Sequence, residues 1–248
     1  MTVKVERCKT GLELLDENIL RGGVPRGNIV LVTGASGVGK TTLCTQILFN
    51  GAKKYDENSL LFTLTESVGE LKRNMGQFTF YDEKLLDERK VLFLDMRSIY
   101  RQMGMDREQY TVSDTNAILR VIDDLIDEFK IKRIVIDSIT AIAYRLSTKD
   151  RVRDFTFRMS NIMFDKGVTT FLTSEDVGEG RVYSREGIEY ICDGIFYLRE
   201  RELGNTLART LQVVKMRGTS HQRNDYEMVL DDNGVNLTER TFLRGVEW

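Results

Sequence analysis

Residues Gly34-Ala-Ser-Gly-Val-Gly39-Lys40-Thr41 match the pattern G-x-x-x-x-G-K-[ST] at every fixed position, and no other stretch limits the fold as strongly. Residues 28–33, just before it, form an apolar run too short for a helix and suited to a buried strand, and residues 41–54 after it read as a helix. A glycine turn in that setting aims backbone N–H groups at an anion, and the positive end of the following helix adds to the attraction. The pattern predicts a phosphate cradle made by Gly34, Ala35, Ser36, Gly37, Val38, Gly39, Lys40, Thr41 and Thr42. Lys40 is the expected contact to the β- and γ-phosphates, and the Thr41 hydroxyl is an expected Mg2+ ligand. A chance glycine turn ahead of a lysine is the bland alternative, and the flanking strand and helix argue against it. No [NT]-K-x-D guanine-reading pattern follows, which favours ATP over GTP.

The remainder of the chain alternates strand and helix. Thr10 and Glu13 have capping-box spacing and Leu12, Leu15 and Ile19 share a stripe, predicting a short helix over residues 10–20. Gly22, Gly23 and Pro25, the only proline, predict a turn. Strands are expected at 60–65, 91–95, 133–137 and 168–173. A helix capped by Ser67 and Glu70 and another over 114–130 lie between them. This alternation requires a parallel sheet covered by helices. After residue 190, strand-like runs at 194–199, 209–214 and 226–230 follow one another without helices, predicting an antiparallel extension. Residues 97–113 read as a surface loop. The expected fold is α/β: a mostly parallel central sheet flanked by helices with an antiparallel C-terminal extension. One nucleotide signature in 248 residues predicts a single domain over 1–248.

Composition narrows the partners. Lys and Arg number 36 against 38 Asp and Glu, so a net charge of -2 supplies no global field for nucleic acid or anionic membrane. Such binding would have to come from a local patch. Cys8, Cys44 and Cys192 are odd in number and far apart, as expected of free thiols that fill space. Neither an N-terminal apolar h-region nor a membrane-length apolar run occurs, so a cytoplasmic location without a membrane partner is expected.

Two carboxylates complete the predicted chemistry. Ile134-Val-Ile-Asp137-Ser138 is an apolar strand ending in an acid, the form of a Walker B carboxylate that holds Mg2+ through water; a plain helix cap is the alternative. Ser138 follows where an adjacent base would otherwise sit, so a hydrolytic base has to come from another strand. Glu66, at the carboxyl end of the 60–65 strand, suits that role, with a solvated first-turn carboxylate as the bland reading. Thr173 and Ser174, ending a third strand, are candidates to sense the γ-phosphate or to form a simple turn.

These motifs resemble the KaiC branch of the RecA superfamily of P-loop NTPases. The resemblance runs through Thr10-Gly-Leu with Asp16, Gly22-Gly-Val-Pro25, the glycine loop, Thr65-Glu66-Ser67, Val135-Ile-Asp137-Ser138 and Gly167-Val-Thr-Thr170. Lys215-Met-Arg217-Gly-Thr-Ser-His221 is the most specific part. The resemblance implies that Lys215 and Arg217 reach the γ-phosphate held by an adjacent subunit. It implies Mg-ATP as ligand and a homohexameric ring as the assembly. The bland alternative is a basic strand end, since residues 199–223 carry six Lys or Arg and two Glu, a local +4. His221, the only histidine, reads more readily as a structural hydrogen-bonding residue than as a catalyst. KaiC itself carries two such domains and paired glutamates, whereas this chain has Thr65-Glu66. Neither clock function nor autokinase activity follows from the match.

Three functional readings remain open at this point. The first is a ring ATPase, acting with a regulatory protein that no motif identifies. The second is a recombinase-paralogue-like ATPase in DNA repair that binds single-stranded DNA through residues 139–158 and 175–187. Arg145, Lys149, Arg151, Arg153 and Arg158, with Arg181, Tyr183 and Arg185, supply charge and an aromatic there. The third is a non-hydrolysing scaffold gated by ATP.

Overall fold

Ile-Val-Leu-Val-Thr-Gly at β3 (Ile29–Gly34) is buried at every position, and so are β4 (Ser59–Thr63) and β6 (Arg133–Asp137). Continuous burial of such short, largely apolar runs requires strands covered on both faces. Their alternate side chains feed two cores. Val30 and Val32 join Leu61, Val135 and Phe171 on one face, while Ile29 and Leu31 join Leu60, Phe62, Ile134 and Ile136 on the other. The computed structural model describes residues 5–96, 98–99, 115–146, 148–176, 183–203 and 206–242.

Along the chain these strands sit among β1 (Arg7–Cys8), a π-helical turn (Leu14–Ile19), β2 (Val24–Pro25), α1 (Lys40–Tyr55), α2 (Val68–Met75), α3 (Glu83–Asp87) and β5 (Val91–Asp95). Then come α4 (Thr115–Phe129), α5 (Ile139–Leu146), α6 (Lys149–Asp165), β7 (Thr169–Glu175), β8 (Gly194–Leu203), β9 (Thr206–Met216), β10 (Asp225–Asp231) and β11 (Gly234–Phe242). The main sheet has the order β11-β10-β9-β8-β3-β7-β6-β4-β5. From β8 to β5 all neighbours are parallel, and from β8 to β11 all are antiparallel. This is the expected α/β fold with its C-terminal extension. The extension has one strand more than expected, β11, whose start is clamped to α1 by Gln46. That side chain donates to the Val235 carbonyl at 3.0 Å and accepts from its N–H at 2.6 Å.

The first core is closed by α1 together with Leu71 and Met75 of α2 and Leu85 of α3. The second is closed by Ile118, Ile122 and Ile126 of α4, Ile142 of α5, and Val152, Phe155 and Met159 of α6. The apolar spacing of residues 114–130 is thus fulfilled, and the Ser67–Glu70 capping box is formed at the start of α2. All three cysteines are free and buried, as packing residues should be. No described helix is long and apolar enough to cross a membrane.

Residues 10–20 depart from expectation. In place of a capped α-helix there is only the π-helical turn, whose N-cap Glu13 makes no side-chain cap. Thr10 turns instead to Asp16: its N–H and its hydroxyl each donate to Asp16 Oδ1 at 2.8 Å, and the Gly11 N–H donates to Oδ2 at 2.8 Å. Burial raises the Asp16 carboxyl above its usual value, and those three donors oppose the shift. A local tie to a buried carboxylate outcompetes the local cap. The 97–113 segment lies, apart from Ser98 and Ile99, outside the described residues.

Candidate functional site

The phosphate loop leaves β3 at Gly34, where φ is 155° and a Cβ would collide with the Leu198 carbonyl oxygen. Only glycine fills that position. Val38 is fully buried and anchors the loop, while Ala35, Ser36 and Gly37 are exposed. Helices α2, α3 and α6 each begin on a side-chain cap, from Ser67, Asp82 and Thr148. Helix α1 begins on Gly39 with no side-chain cap and no acidic residue in its first turn. Its leading amides are left to a ligand, and the helix dipole makes an anion the favoured one.

Lys40 lies against the same loop, with Nζ donating to the Gly34 carbonyl at 2.7 Å and the Ala35 carbonyl at 2.8 Å. Burial pushes its pKa down, and the carboxylates of Asp137 and Glu175 push it back up. A desolvated ammonium whose partners are neutral carbonyls gains most from a phosphate brought to the loop.

Strand register collects the remaining groups at one edge. Gly34 pairs with Glu175, Val32 with Thr173, and Thr63 with both Asp137 and Asp95, so β3, β7, β6 and β4 end together. Asp137, 6% exposed, accepts from the Thr41 hydroxyl through Oδ2 at 2.6 Å and from the Thr173 hydroxyl through Oδ1 at 2.5 Å. Thr41 and Asp137 therefore converge on one point beside the loop, an oxygen pair suited to a small hard cation that keeps its waters and phosphate ligands. Thr173 orients the acid, while Ser174 turns away to Thr140 at 3.4 Å and Glu186 at 3.2 Å.

Glu66 follows β4 after a short bend in which the Thr63 hydroxyl donates to the Glu66 carbonyl at 3.1 Å. Its carboxylate is half-buried on the same edge of the sheet. Burial raises its pKa first, and the nearby negative charge of Asp137 raises it further. Asn74 of α2 donates to Glu66 Oε2 at 3.1 Å, a contact that no sequence pattern signals because Asn74 is an exposed polar residue on a helix.

The two predicted cations of the basic heptad lie elsewhere. Lys215 pairs with Ile195, which pairs with Leu31, and the Arg217 carbonyl accepts from Asn28 Nδ2 at 3.2 Å. Asn28 is six residues below Gly34, so Arg217 sits roughly 20 Å from its own glycine loop at about 3.3 Å per strand residue. Its guanidinium is 56% exposed, bridging Asp193 Oδ1 at 3.1 Å and the Tyr190 carbonyl at 3.2 Å. Lys215 Nζ reaches the carbonyls of Glu189 at 3.1 Å and Cys192 at 2.5 Å, and burial followed by Arg217 lowers its pKa. His221 Nδ1 lies 3.4 Å from the Thr219 carbonyl.

Among the residues weighed for single-stranded DNA, the Tyr183 ring packs edge-on against Tyr197 at 5.4 Å. Arg153 pairs with Asp150 at 3.7 Å and Arg158 with Asp154 at 3.7 Å. Arg181 and the Arg145 side chain lie outside the described residues.

A profile of the family described as "ATPase: KaiC" matches residues 8–241. The circadian clock oscillator protein KaiC of Parathermosynechococcus lividus is 33% identical over 94% of this chain, but the match covers 42% of that protein. The chain thus spans less than half the length of the clock proteins it matches. The UPF0273 protein MJ1359 of Methanocaldococcus jannaschii is 35% identical over 93% of this chain and 96% of its own length. A crystal structure of the KaiC-like protein PH0186 from Pyrococcus horikoshii superposes with a TM-score of 0.81 at 33% identity, covering 95% of this chain and all of that one.

Proposed function

The chain belongs to the KaiC family of ATPases, and on that premise we propose that it binds and hydrolyses Mg-ATP as one ATPase domain per subunit of a closed, hexameric homo-oligomeric ring with shared sites. The observation that carries this reading is the separation between Arg217 and the glycine loop of the same chain. An exposed arginine at the far edge of the sheet meets a γ-phosphate only when another copy presents it.

In this reading the amides at the start of α1 and the Lys40 ammonium hold the β- and γ-phosphates, with Lys40 exchanging its two carbonyl partners for phosphate oxygens. Thr41 and Asp137 would hold magnesium, which supplies charge neutralisation at the phosphate oxygens. Glu66 orients a water for in-line attack and accepts its proton, since its carboxylate shares the edge with Asp137. Lys215 and Arg217 of a neighbouring copy stabilise the charge that develops on the γ-phosphate. Hydrolysis then depends on assembly.

Mixing variants tests the shared site. Lys40→Ala and Arg217→Ala are each expected to be nearly inactive, the first because the loop loses its own phosphate-holding ammonium and the second because a cation supplied in trans is worth about 10^3-fold or more. Together they recover part of the rate, because some interfaces join an intact loop to an intact Arg217. Mixed rings that assemble, by native mass spectrometry, yet stay inactive would sink the proposal.

Glu66→Gln is expected to lower turnover by roughly 100-fold or more while ATP still binds. Because the Glu66 pKa is raised, the wild-type rate falls as pH drops through a value above the usual glutamate range. The same sign makes burial of the ionised carboxylate unfavourable at neutral pH, so the glutamine variant loses no thermal stability there. An unchanged rate in Glu66→Gln removes Glu66 as the base.

A further inference from the structure

Asn74 has no place in the family resemblance, yet it is the side chain that meets the proposed base. The capping box at Ser67, with the Glu70 N–H bonded to Ser67 Oγ at 3.3 Å and Glu70 Oε2 accepting from the Ser67 N–H at 2.9 Å, fixes the start of α2 immediately after Glu66. Leu71 and Met75 are buried in the first core, so they pin the rotation of that short helix. Asn74 lies between these anchors, with its amide 3.1 Å from Glu66 Oε2. Among the described residues it is the only hydrogen-bond partner of that carboxylate.

We propose that Asn74 is a positioning residue for hydrolysis: its amide holds one oxygen of Glu66, setting the rotation of the carboxylate so that the other oxygen faces the attacking water. The inference rests on Glu66 being the base. A carboxylate on a flexible side chain otherwise samples several rotamers, and fixing one recovers orientation that the reaction needs. The bond also favours the ionised form, opposing burial and the negative charges of Asp137 on β6 and Glu70 on α2, while Arg73 on α2 acts in the same direction as Asn74. An amide donor suits the task because it carries no charge of its own and leaves the carboxylate free to take a proton.

The test uses the full chain with saturating ATP and magnesium. Asn74→Ala is expected to lower kcat about five- to tenfold, the worth of one hydrogen bond to an ionised group near the surface. KM for ATP stays unchanged, and the acid limb of the rate profile moves to higher pH. Asn74→Asp keeps the shape but removes the donor and adds a like charge, so it shifts that limb further. Asn74→Ala costs nothing more in a Glu66→Gln background. Three results overturn the proposal: variants that melt like wild type with unmoved kcat and pH profile, an additive loss in the double variant, or a faster rate, which would make Asn74 a latch. If Glu66→Gln hydrolyses ATP at the wild-type rate, the base assignment fails instead, and that outcome is read from a variant in which Asn74 is intact.

Discussion

Lys40→Ala should abolish ATP binding and turnover together, with the rate falling by about 10^3-fold or more. The reason lies in what surrounds this ammonium. Its pKa is already lowered by burial, and its hydrogen-bond partners are the carbonyls of Gly34 and Ala35, so among the described residues the site has a desolvated cation without a formal counter-anion in contact. Phosphate repays that desolvation, and alanine offers nothing to do so. The loop itself survives, because Val38 remains buried and the glycine conformations at Gly34 and Gly39 do not depend on the lysine. Thermal unfolding separates the two effects. A ligand at 100 times its Kd stabilises the native state by about 2.7 kcal/mol, and that increment should vanish in Lys40→Ala while the melting curve without nucleotide barely moves. Wild-type affinity in the variant, measured by titration calorimetry, would remove the phosphate assignment.

The largest loss of stability is expected from Glu57→Ala, at the opposite end of the sheet. Arg133 is fully buried at the first position of β6, and its Nε donates to Glu57 Oε2 at 2.6 Å. Its other bonds run to the carbonyls of Lys9 at 2.5 Å and Ile47 at 3.2 Å, and Arg26 binds the second oxygen of Glu57. Removing the carboxylate strands a buried guanidinium beside a second one, which costs about 3–5 kcal/mol. The adjoining wall is equally tight, since a Cβ on Gly51 would lie 2.6 Å from Arg133 Nε. Replacing both partners, Glu57→Leu with Arg133→Met, should cost less than Glu57→Ala alone, because no buried charge is left unpaired. Urea unfolding reads the difference through the transition midpoint. A Glu57→Ala midpoint close to wild type would show that Arg133 finds other compensation.

Some of the molecule was legible because it is written in neighbouring residues. The glycine loop, the Ser67–Glu70 cap and the helical spacing of Ile118, Ile122 and Ile126 are each set by interactions within a few positions, and each element formed as read. Thr10 and Glu13 have the same capping spacing but no cap forms, because Asp16 offers the Thr10 hydroxyl a buried acceptor that spacing alone does not reveal. The base of the sheet was equally invisible. Nothing in Arg133 as a residue says that it will be enclosed by Glu57, Lys9 and Ile47, which come from three other segments of the chain.

By itself, then, the sequence determined the phosphate-binding turn, the alternation that makes a parallel sheet, and the kinds of side chain available at strand ends, since these follow from local conformational preference and hydrophobic period. Only the tertiary structure decided which strand ends meet. Parallel register brings Asp137 between the hydroxyls of Thr41 and Thr173, and the packing of Leu71 and Met75 on the first core sets Asn74 against Glu66. The antiparallel return of β9 carries Lys215 and Arg217 to the far edge. Strand pairing couples residues distant in sequence through backbone hydrogen bonds, and no local pattern specifies those partners.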